Sequence, residues 1–582
     1  MSKGVNISAW LFVVCIFLSY DLQGQESDVS SAGFSFAGVS TVSAYYSNHQ
    51  PFGQALPSEY LSWQLRSRLT LFHVPLNISG LLTTQQRTVG QSMNHVSVNV
   101  DTRALLQHID TSGSLRFFRH FETIELGRTR PSYSPLVLNG IPVSGINVSV
   151  RMRSVHAAFV YGNSKRPVQR GSYLSQRHGQ KMLFGRFGVG QQDATFFNVS
   201  VLHARDDAAS IEPTGLYYHW PADTLVHHMD TLFIAPDSAA VYRHPGESLI
   251  PGVELGVSFF DRKFIVGAAA AGMVNTANTQ SDSVIIDALP SWVDRIHPVR
   301  LTTSVSYAYV LTSSLRLNTT RINATYRLTA PGFYSPGTPF MRQDQQMYQL
   351  QGSQSLFNRT FTIQPHLRWF RDNLSNHKAA TTETLIWGVT GIWRPANLPY
   401  ISFSYSPHKQ ELQHDTHPVV NTAQVTTVAT GLNYTVSNQL QAFTGFSWSH
   451  QLTSTKNTGD EREFTGNNFS LQQSLRLTIP LNLMANIGLY MMETEGTSTS
   501  TRQYMFRGTY DVQEAWRVSL GMRHFNRGGE SKRTGVRFQT SYDFGRFGAL
   551  ELLAEPLYYR DILNPDREYD QYIIRITFIN KW

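Results

Sequence analysis

The stretch "LSWQLRSRLTL" (residues 61–71) alternates apolar and polar side chains along nearly its whole length. Its apolar positions are Leu61, Trp63, Leu65, Leu69 and Leu71. Its polar positions are Ser62, Gln64, Arg66, Arg68 and Thr70. A period of two predicts a β-strand with one apolar and one polar face. The stretches at 359–369 and 469–479 repeat the pattern, whereas "FIVGAAAAGMV" (264–274) has no clean face.

The composition is poor in charge and rich in aromatic rings. Charged residues make up 15% of the 582 residues and aromatic residues 12%, against roughly 25% charged residues in an average soluble protein. A mean hydropathy of -0.24 is not that of a helical membrane protein. These values favour strands with one face in lipid and one in water. A soluble all-β protein is the alternative, but no repeat of the roughly 40 residues typical of a propeller is present.

The first residues have the pattern of a secretory signal peptide. Lys3 precedes an apolar run from Ala9 to Leu18, and the small residue Gly24 follows. The run is too short to span a bilayer, so we expect residues 1–24 to be a cleaved signal. A short segment (25–32) and a barrel (33–582) would then form the mature chain. Cys15 is the only cysteine, so the mature chain would have neither a disulfide nor a thiolate metal site.

Short and long connections alternate between the predicted strands. Working back from the end of the chain, residues 543–548 are a tight turn and 526–534 a longer polar one, and further back 451–467 is expected to be a long charged loop; the two series stay in phase. This rhythm predicts one transmembrane antiparallel barrel of about 22–26 strands, with short periplasmic turns and long extracellular loops. The final strand would pair with the strand that begins near Gly33. Residues 105–139 fit the rhythm poorly, and the run "ALLQHIDTSGSLRFFRHF" (104–121) has the alternative of a periplasmic helix and turn.

A barrel of this size needs something in its lumen, because barrels of 22 strands are normally plugged. Only about ten residues of the predicted mature chain precede the first strand, which leaves no room for a separate plug domain. Either the strand number is lower, or loops such as 205–249 fold inward, or a partner protein seals the barrel.

The signal peptide, the strand rhythm and the terminal aromatic Trp582 together resemble bacterial outer-membrane β-barrels. In that class the final strand carries a signal for the barrel assembly machinery, which the resemblance transfers to Phe578 and Trp582. Two runs, "PGFYSPGTPFMRQDQQMY" (331–348) and "RDNLSNHKAATTETL" (371–385), are similar to stretches of large, little-characterised outer-membrane barrels of Bacteroidota. The resemblance implies contact with outer-membrane lipid and lipopolysaccharide, and it brings no catalytic motif.

Arginines are concentrated on the polar face of the last predicted strands: Arg476, Arg507, Arg517, Arg523, Arg537 and Arg575. If the apolar face meets lipid, these side chains line the lumen as a basic wall that favours anionic solutes. Glu551 and Glu555 lie on the strand between those of Arg537 and Arg575, so the alternative is a structural set of cross-strand ion pairs. The net charge of +8 comes with no nucleic-acid-binding motif.

Neither a catalytic nor a metal site is expected. Ser449 and His450 are adjacent on a strand and therefore point to opposite faces. His203, His219, His227, His228 and His244 cluster around the longest loop, but their spacing matches no structural metal motif. Doubled aromatics at predicted strand ends indicate a membrane girdle. We therefore expect neither a cofactor nor enzymatic activity.

Two functions remain open after these observations. The first is a porin-like transport barrel for solutes or a larger cargo, with an arginine-rich lumen. The second is a non-enzymatic scaffold or accessory barrel in an outer-membrane secretion or assembly complex, which would have outer-membrane or periplasmic partner proteins.

Overall fold

The structure is a computed structural model that describes residues 34–48, 58–71, 74–84, 94–100, 120–168, 177–191, 194–211, 223–227, 230–234, 244–284, 297–414 and 416–581. The predicted signal peptide, the segment 25–32 and Trp582 lie outside these residues. Among the described residues, no helix has both the length and the apolar character needed to cross a membrane. Short 3-10 helices occur at Ala208–Ser210, Gly545–Phe547 and Pro565–Arg567.

The strands of the described residues are β1 (Phe34–Ser47), β2 (Glu59–Leu71), β3 (Val74–Thr83), β4 (His95–Val100), β5 (Phe121–Thr129), β6 (Ser132–Ser134), β7 (Leu138–Asn139), β8 (Val143–Met152), β9 (Val155–Lys165), β10 (Gly179–Gly190), β11 (Phe196–Asp207), β12 (Asp223–His227), β13 (Asp230–Ile234), β14 (Glu247–Phe259), β15 (Phe264–Thr276), β16 (Thr303–Arg316), β17 (Thr320–Thr329), β18 (Gln345–Leu356), β19 (Phe361–Asp372), β20 (Ala380–Trp393), β21 (Tyr400–His414), β22 (Val419–Ser437), β23 (Leu440–Asn457), β24 (Asp460–Leu477), β25 (Leu481–Thr494), β26 (Thr497–Gln513), β27 (Trp516–Arg527), β28 (Ser531–Asp543), β29 (Ala549–Asp561) and β30 (Tyr569–Lys581).

Twenty-six of these strands form one closed antiparallel barrel. Each barrel strand pairs with the next in the chain, and β30 returns to pair with β1 in a register that sets Ser43 opposite Thr577. The pairs β6–β7 and β12–β13 lie outside the ring. The prediction of a single barrel of 22–26 strands, closed by its first and last strands, is therefore confirmed.

The two faces of the barrel wall differ in polarity, as the alternation predicts. The outer face exposes large apolar side chains such as Phe187, Ile487 and Leu520, each more than half exposed. Their neighbours in sequence point to the inner face. The stretch at 264–274 lacks a clean pattern because it is apolar on both sides: Val266 is exposed on the outer face, whereas Ala271 and Met273 are buried inside.

A row of aromatic rings crosses neighbouring strands on the outer face, towards the end of the barrel away from Phe34 and Lys581. Tyr309, Tyr326, Tyr348 and Trp369 stand on β16 to β19, with successive ring centroids 5.7, 4.6 and 5.4 Å apart. Trp369 Nε1 also donates to Glu383 Oε1 at 2.6 Å. Rings with an apolar body and a polar tip suit a membrane interface.

Residues 121–129 form strand β5, in which Ile124 and Leu126 alternate with Glu125. The stretch 104–121, for which a periplasmic helix and turn was the alternative, lies almost entirely outside the described residues. One region differs from the sequence prediction. The expected long loop at 451–467 is mostly strand, because β23 and β24 pair as far as Asn457 and Asp460. Strands that continue beyond an apolar belt are polar on both faces, so their sequence reads as loop.

The closure of the ring can be tested with one engineered disulfide. Ser43 Oγ and Thr577 Oγ1 are 3.2 Å apart on directly paired residues, which is close enough for a disulfide between cysteines at these positions. We expect the double variant S43C and T577C to oxidise and to migrate as a covalent ring in denaturing gels without reductant.

The control is S43C with T509C, whose second cysteine stands on the distant strand β26. It should show no shift that reductant reverses. A correctly folded S43C and T577C protein that fails to cross-link would contradict the pairing of β1 with β30.

Candidate functional site

The candidate site is the lumen, and two loops from the end of the barrel opposite Phe34 and Lys581 fold into it. The first inward loop (residues 130–142) joins β5 to β8 and contains the β6–β7 pair. Its Leu136, Val137 and Leu138 are at most 1% exposed. Gly140, with a φ of +69°, donates its N–H to Pro131 O at 2.8 Å and closes the loop. A side chain there would strain this turn.

The second inward loop (residues 330–344) joins β17 to β18 and binds the first through backbone atoms. Ser335 Oγ donates to Val137 O at 2.9 Å. Asn139 N donates to Gly337 O at 3.0 Å. A Cβ on Gly337 would lie 2.0 Å from Val137 O, so the two loops approach as closely as only glycine permits.

Both loops pack on an apolar part of the inner wall. The loop residues Leu136, Val137, Leu138 and Phe333 share one buried core with the barrel strands from β8 to β16. The wall side of that core consists of Val143, Ala158, Val160, Met182, Phe184, Leu202, Ala204, Ile250, Ala271, Met273, Ala308 and Val310. Each fully buried large side chain contributes about 1.5–3 kcal/mol. We call the two loops and this core the lumen plug.

Polar side chains fix the plug at its margins. The Tyr133 ring stacks on Phe184 with centroids 5.6 Å apart, and its hydroxyl donates to Asn147 Oδ1 at 2.6 Å. At the other loop, Lys165 Nζ lies 3.4 Å from the Tyr334 hydroxyl. Burial of a tyrosine ring stabilises such a contact, and the hydrogen bond of its hydroxyl fixes the orientation of the ring.

The sequence runs 331–348 and 371–385 meet at Asp344. Its carboxylate accepts from Leu374 N at 2.8 Å and pairs with Lys378 Nζ, also at 2.8 Å. The run 331–348 thus contains the second inward loop, and the run 371–385 supports the base of that loop from the next outer connection.

A polar layer lies on the inner wall next to the apolar core, nearer the end that holds Phe34 and Lys581. Arg186 and Glu254 form an ion pair at 2.9 Å and are both less than a tenth exposed. Asn198 Nδ2 donates to Glu254 at 3.3 Å, and its Oδ1 lies 2.6 Å from His156 Nε2. Removing one partner of such a buried pair typically costs about 3–5 kcal/mol, so the layer fixes these strands beside the plug.

The predicted arginines occupy the last third of the ring on the face opposite the exposed apolar residues. Arg476 is on β24, Arg507 on β26, Arg517 and Arg523 on β27, Arg537 on β28 and Arg575 on β30. Strand β26 stands half-way round the 26-strand ring from β11, which carries the plug residue Leu202.

Three of these arginines converge on one depression of about 150 Å³. Arg507, Arg523 and Arg537 line it together with Glu555, and Gly521 and Gly535 leave space between them. Arg523 forms an ion pair with Glu555, and Arg507 Nε donates to Ser519 Oγ at 3.0 Å. Three guanidinium groups against one carboxylate leave two formal positive charges. We call this group the arginine depression.

The remaining predicted residues are not part of the depression. Arg517 pairs with Asp511 at 2.5 Å near the strand ends, and Arg575 lies 6.0 Å from the centroid of the Tyr45 ring. Glu551 stands opposite Ser541 and Thr577 and forms no ion pair with a described residue. Phe578 lies on the outer face opposite Val42.

Inward-folding loops were one of three expectations for the lumen, but the loop named was 205–249 and not the two that form the plug. Its signal in the sequence is the run "PLVLNGIPV" (135–143), which is apolar but interrupted by Gly140 and Pro142 and therefore too short for a barrel strand. Nothing local indicates that its partner is a loop at 330–344.

Comparisons with known proteins identify neither a family nor a function. No protein-family model and no curated protein matches the chain. Among solved structures, OccAB3 of Acinetobacter baumannii is 10% identical with a TM-score of 0.28, over 58% of this chain and 93% of that one. OpdK of Pseudomonas aeruginosa with vanillate gives the same values. The P pilus usher (PapC) translocation pore is 9% identical with a TM-score of 0.37, over 94% of this chain and 99% of the other. Likenesses of this extent do not indicate what this chain binds.

The contact between the inward loops can be tested by G337V. The added side chain would overlap Val137 O and come within 3.0 Å of Leu138 Cα, so we expect the second inward loop to leave the plug. Limited trypsin digestion of the folded protein should then cleave after Arg342 at least several times faster than in the unmodified protein.

The matched control is G272V on β15, where the nearest atom to a new Cβ is 3.8 Å away. It should leave cleavage at Arg342 unchanged. Equal cleavage rates for G337V and the unmodified protein would show that the two loops do not depend on this contact.

Proposed function

We propose that this protein is an integral outer-membrane barrel that passes small anionic solutes through a partly plugged lumen. One observation carries the proposal: the apolar plug covers one side of the inner wall, and the arginines stand on the side half-way round the ring. Solutes would therefore pass between an apolar, immobile surface and a hydrated, positively charged one.

The charge state of the arginines supports a role in selectivity. Arg476, Arg507, Arg537 and Arg575 are exposed and form no ion pair with a described residue, whereas Arg517 and Arg523 do. A purely structural set of ion pairs would neutralise most of them. Rings or walls of unpaired charge set the selectivity of aqueous pores, and arginine remains charged at any physiological pH.

The outer surface supports the location in a membrane. Exposed apolar side chains cover the outer face of the wall, and the row from Tyr309 to Trp369 has the character of an interfacial girdle. We infer that lipid and lipopolysaccharide are the partners of this face. We also propose that this chain belongs to the large outer-membrane barrels of Bacteroidota, because its runs 331–348 and 371–385 resemble stretches of those barrels. The two runs are in contact at Asp344.

Selectivity gives a direct test of the basic wall. We expect R507E with R537E to shift the reversal potential in planar bilayers under a salt gradient towards cations. One unit charge about 4 Å from an ion is worth about 1 kcal/mol in water, so the anion-to-cation permeability ratio should fall by roughly fivefold or more.

The control for this experiment is R567E, which reverses one charge, half the change of the double variant, in the outer connection between β29 and β30. It should leave the ratio close to that of the unmodified barrel. A folded barrel that conducts no ions would refute the transport proposal, and stable co-purification with partner proteins would then favour the scaffold function.

Removing the first inward loop tests the plug separately. Replacing residues 132–139 with a flexible glycine-serine segment of equal length removes the buried side chains Leu136, Val137 and Leu138. The open cross-section should grow, so we expect single-channel conductance to rise by about a factor of two or more, since a large barrel without a plug leaves an aqueous channel.

A segment of equal length keeps the connection between β5 and β8 intact, and heat-modifiable gel mobility checks that the barrel still folds. The corresponding control replaces residues 562–568, an outer connection between β29 and β30. Unchanged conductance in the plug variant would show that ions do not pass beside the plug.

We also propose that Phe578 and Trp582 form the insertion signal read by the barrel assembly machinery. The position of Phe578 on the outer face of the closing strand agrees with this role, because a signal on β30 must be accessible before β1 pairs with it.

A further inference from the structure

Three side chains with metal-binding atoms lie together on the outside of the barrel, at the rim away from Phe34 and Lys581. His203 stands near the end of β11, and Glu247 begins β14. They are diagonal neighbours in the ladder, because Arg205 pairs with Glu247 and His203 with Leu249. Their side chains share the face of the exposed residues Val201 and Val253, so they point away from the lumen.

The connection between β15 and β16 (residues 277–302) brings the third side chain. Its described ends pair with each other, with Val284 N donating to Val299 O at 2.9 Å and Leu301 N to Asp282 O at 3.2 Å. This arrangement places His297 against the pair. The ligand atoms of His203, Glu247 and His297 all lie within 4.8 Å of one another.

The cluster is enclosed, unlike a chance group of surface residues. Glu247 is 6% exposed and His297 1%. His203 is half-buried, and its Nε2 lies 2.7 Å from Glu247 Oε1. A carboxylate removed from water this far needs positive partners; besides His203, Arg205 stands opposite Glu247 in the ladder.

His297 has one nitrogen engaged and one free. Its Nε2 lies 3.0 Å from Thr276 Oγ1, which in turn lies 2.8 Å from Thr303 Oγ1. Thr303 Oγ1 accepts from Arg300 N at 2.8 Å. His297 Nδ1 is buried and has no hydrogen-bond partner among the described residues. Leaving such an atom unpaired costs about 1–3 kcal/mol.

We propose that His203, Glu247 and His297 form a binding site for one divalent transition-metal ion, with Zn²⁺ as the best match. Two imidazoles and one carboxylate are a common ligand set for Zn²⁺. The half-buried side of His203 leaves a fourth position for water. The hydrogen bond between Thr276 Oγ1 and His297 Nε2 holds the ring in place and leaves Nδ1 for the metal, as outer hydrogen bonds do at metal sites.

Because His203, Glu247 and His297 join two strand ends to the loop at 277–302, the ion would fasten that loop to the barrel rim.

The histidine cluster noted in the sequence contributes only one of the three ligands of this site. His203 belongs to that cluster, but Glu247 and His297 come from other elements. His219 and His228 lie outside the described residues, and His244 is exposed. The three ligands come together because β11 pairs with β14 and His297, in the described end of the connection between β15 and β16, lies against that pair.

The test uses the full barrel in detergent, purified without a polyhistidine tag and stripped of metal with a chelator. Titration calorimetry with zinc sulfate should show one high-affinity equivalent. H297A and E247Q should each weaken binding at least tenfold, and T276V should weaken it less. H450A is the control, since His450 contacts Asn467 on the opposite side of the ring and its loss should leave affinity unchanged.

X-ray absorption of the zinc-loaded unmodified protein keeps the proposal testable if a variant misfolds. The spectrum should show two imidazole ligands and one carboxylate. Absence of a high-affinity equivalent, equal binding by H297A and the unmodified protein, or a spectrum with only oxygen ligands would each overturn the proposal.

Discussion

Backbone hydrogen bonding at the seam between β1 and β30 is the constraint on which the rest of this structure depends. A strand edge inside a bilayer would leave several N–H and C=O groups without partners, each at a cost of several kcal/mol. The seam pairs nine residues of β1, from Val39 to Ser47, with β30. Once the seam is closed, the wall has no edge, and every strand has a fixed inner and outer face. Both the lipid belt and the lumen follow from that single pairing.

Closure at 26 strands creates a second requirement, since a ring of this size encloses more space than wall side chains can fill. The protein fills part of it with its own connections. The inner face of the barrel strands from β8 to β16 is apolar, where a water-filled barrel would carry polar residues, and it is buried by Leu136, Val137, Leu138 and Phe333. The cost of an apolar inner face is thus offset by the plug, and the plug is stable only because that face is apolar. The two features depend on each other.

Features of the fold that depend on neighbouring residues could be predicted from the sequence, whereas those that depend on residues far apart in the chain could not. The faces of β2 or β24 follow from neighbouring residues, and the prediction that Arg507 and Arg537 face the lumen rests on the same parity. The strand number followed from tight turns. The two loops of the plug could not be identified, because Val137 and Ser335 are 198 positions apart in the sequence. In addition, the residue type does not show whether an apolar position faces inward or outward. The prediction of a loop at 451–467 was wrong for a related reason. Beyond the lipid-facing belt, both faces of a strand are polar, so the polarity of the side chains no longer distinguishes a strand from a loop.

Arg186, beside the plug, has a carboxylate partner, whereas several arginines on the opposite wall have none among the described residues. This difference links the structure to the proposed function. Where water is excluded beside the plug, Arg186 has a partner in Glu254 at 2.9 Å, because an unpaired charge there would be prohibitively costly. On the other side of the ring, Arg537 and Arg476 are exposed, and water already stabilises their charge. Selection for stability alone would not keep several unpaired arginines on one wall, since each contributes repulsion to its neighbours. A wall that attracts passing anions would need its arginines unpaired. The hydration of this wall, rather than its arginine content, therefore supports the proposed transport function.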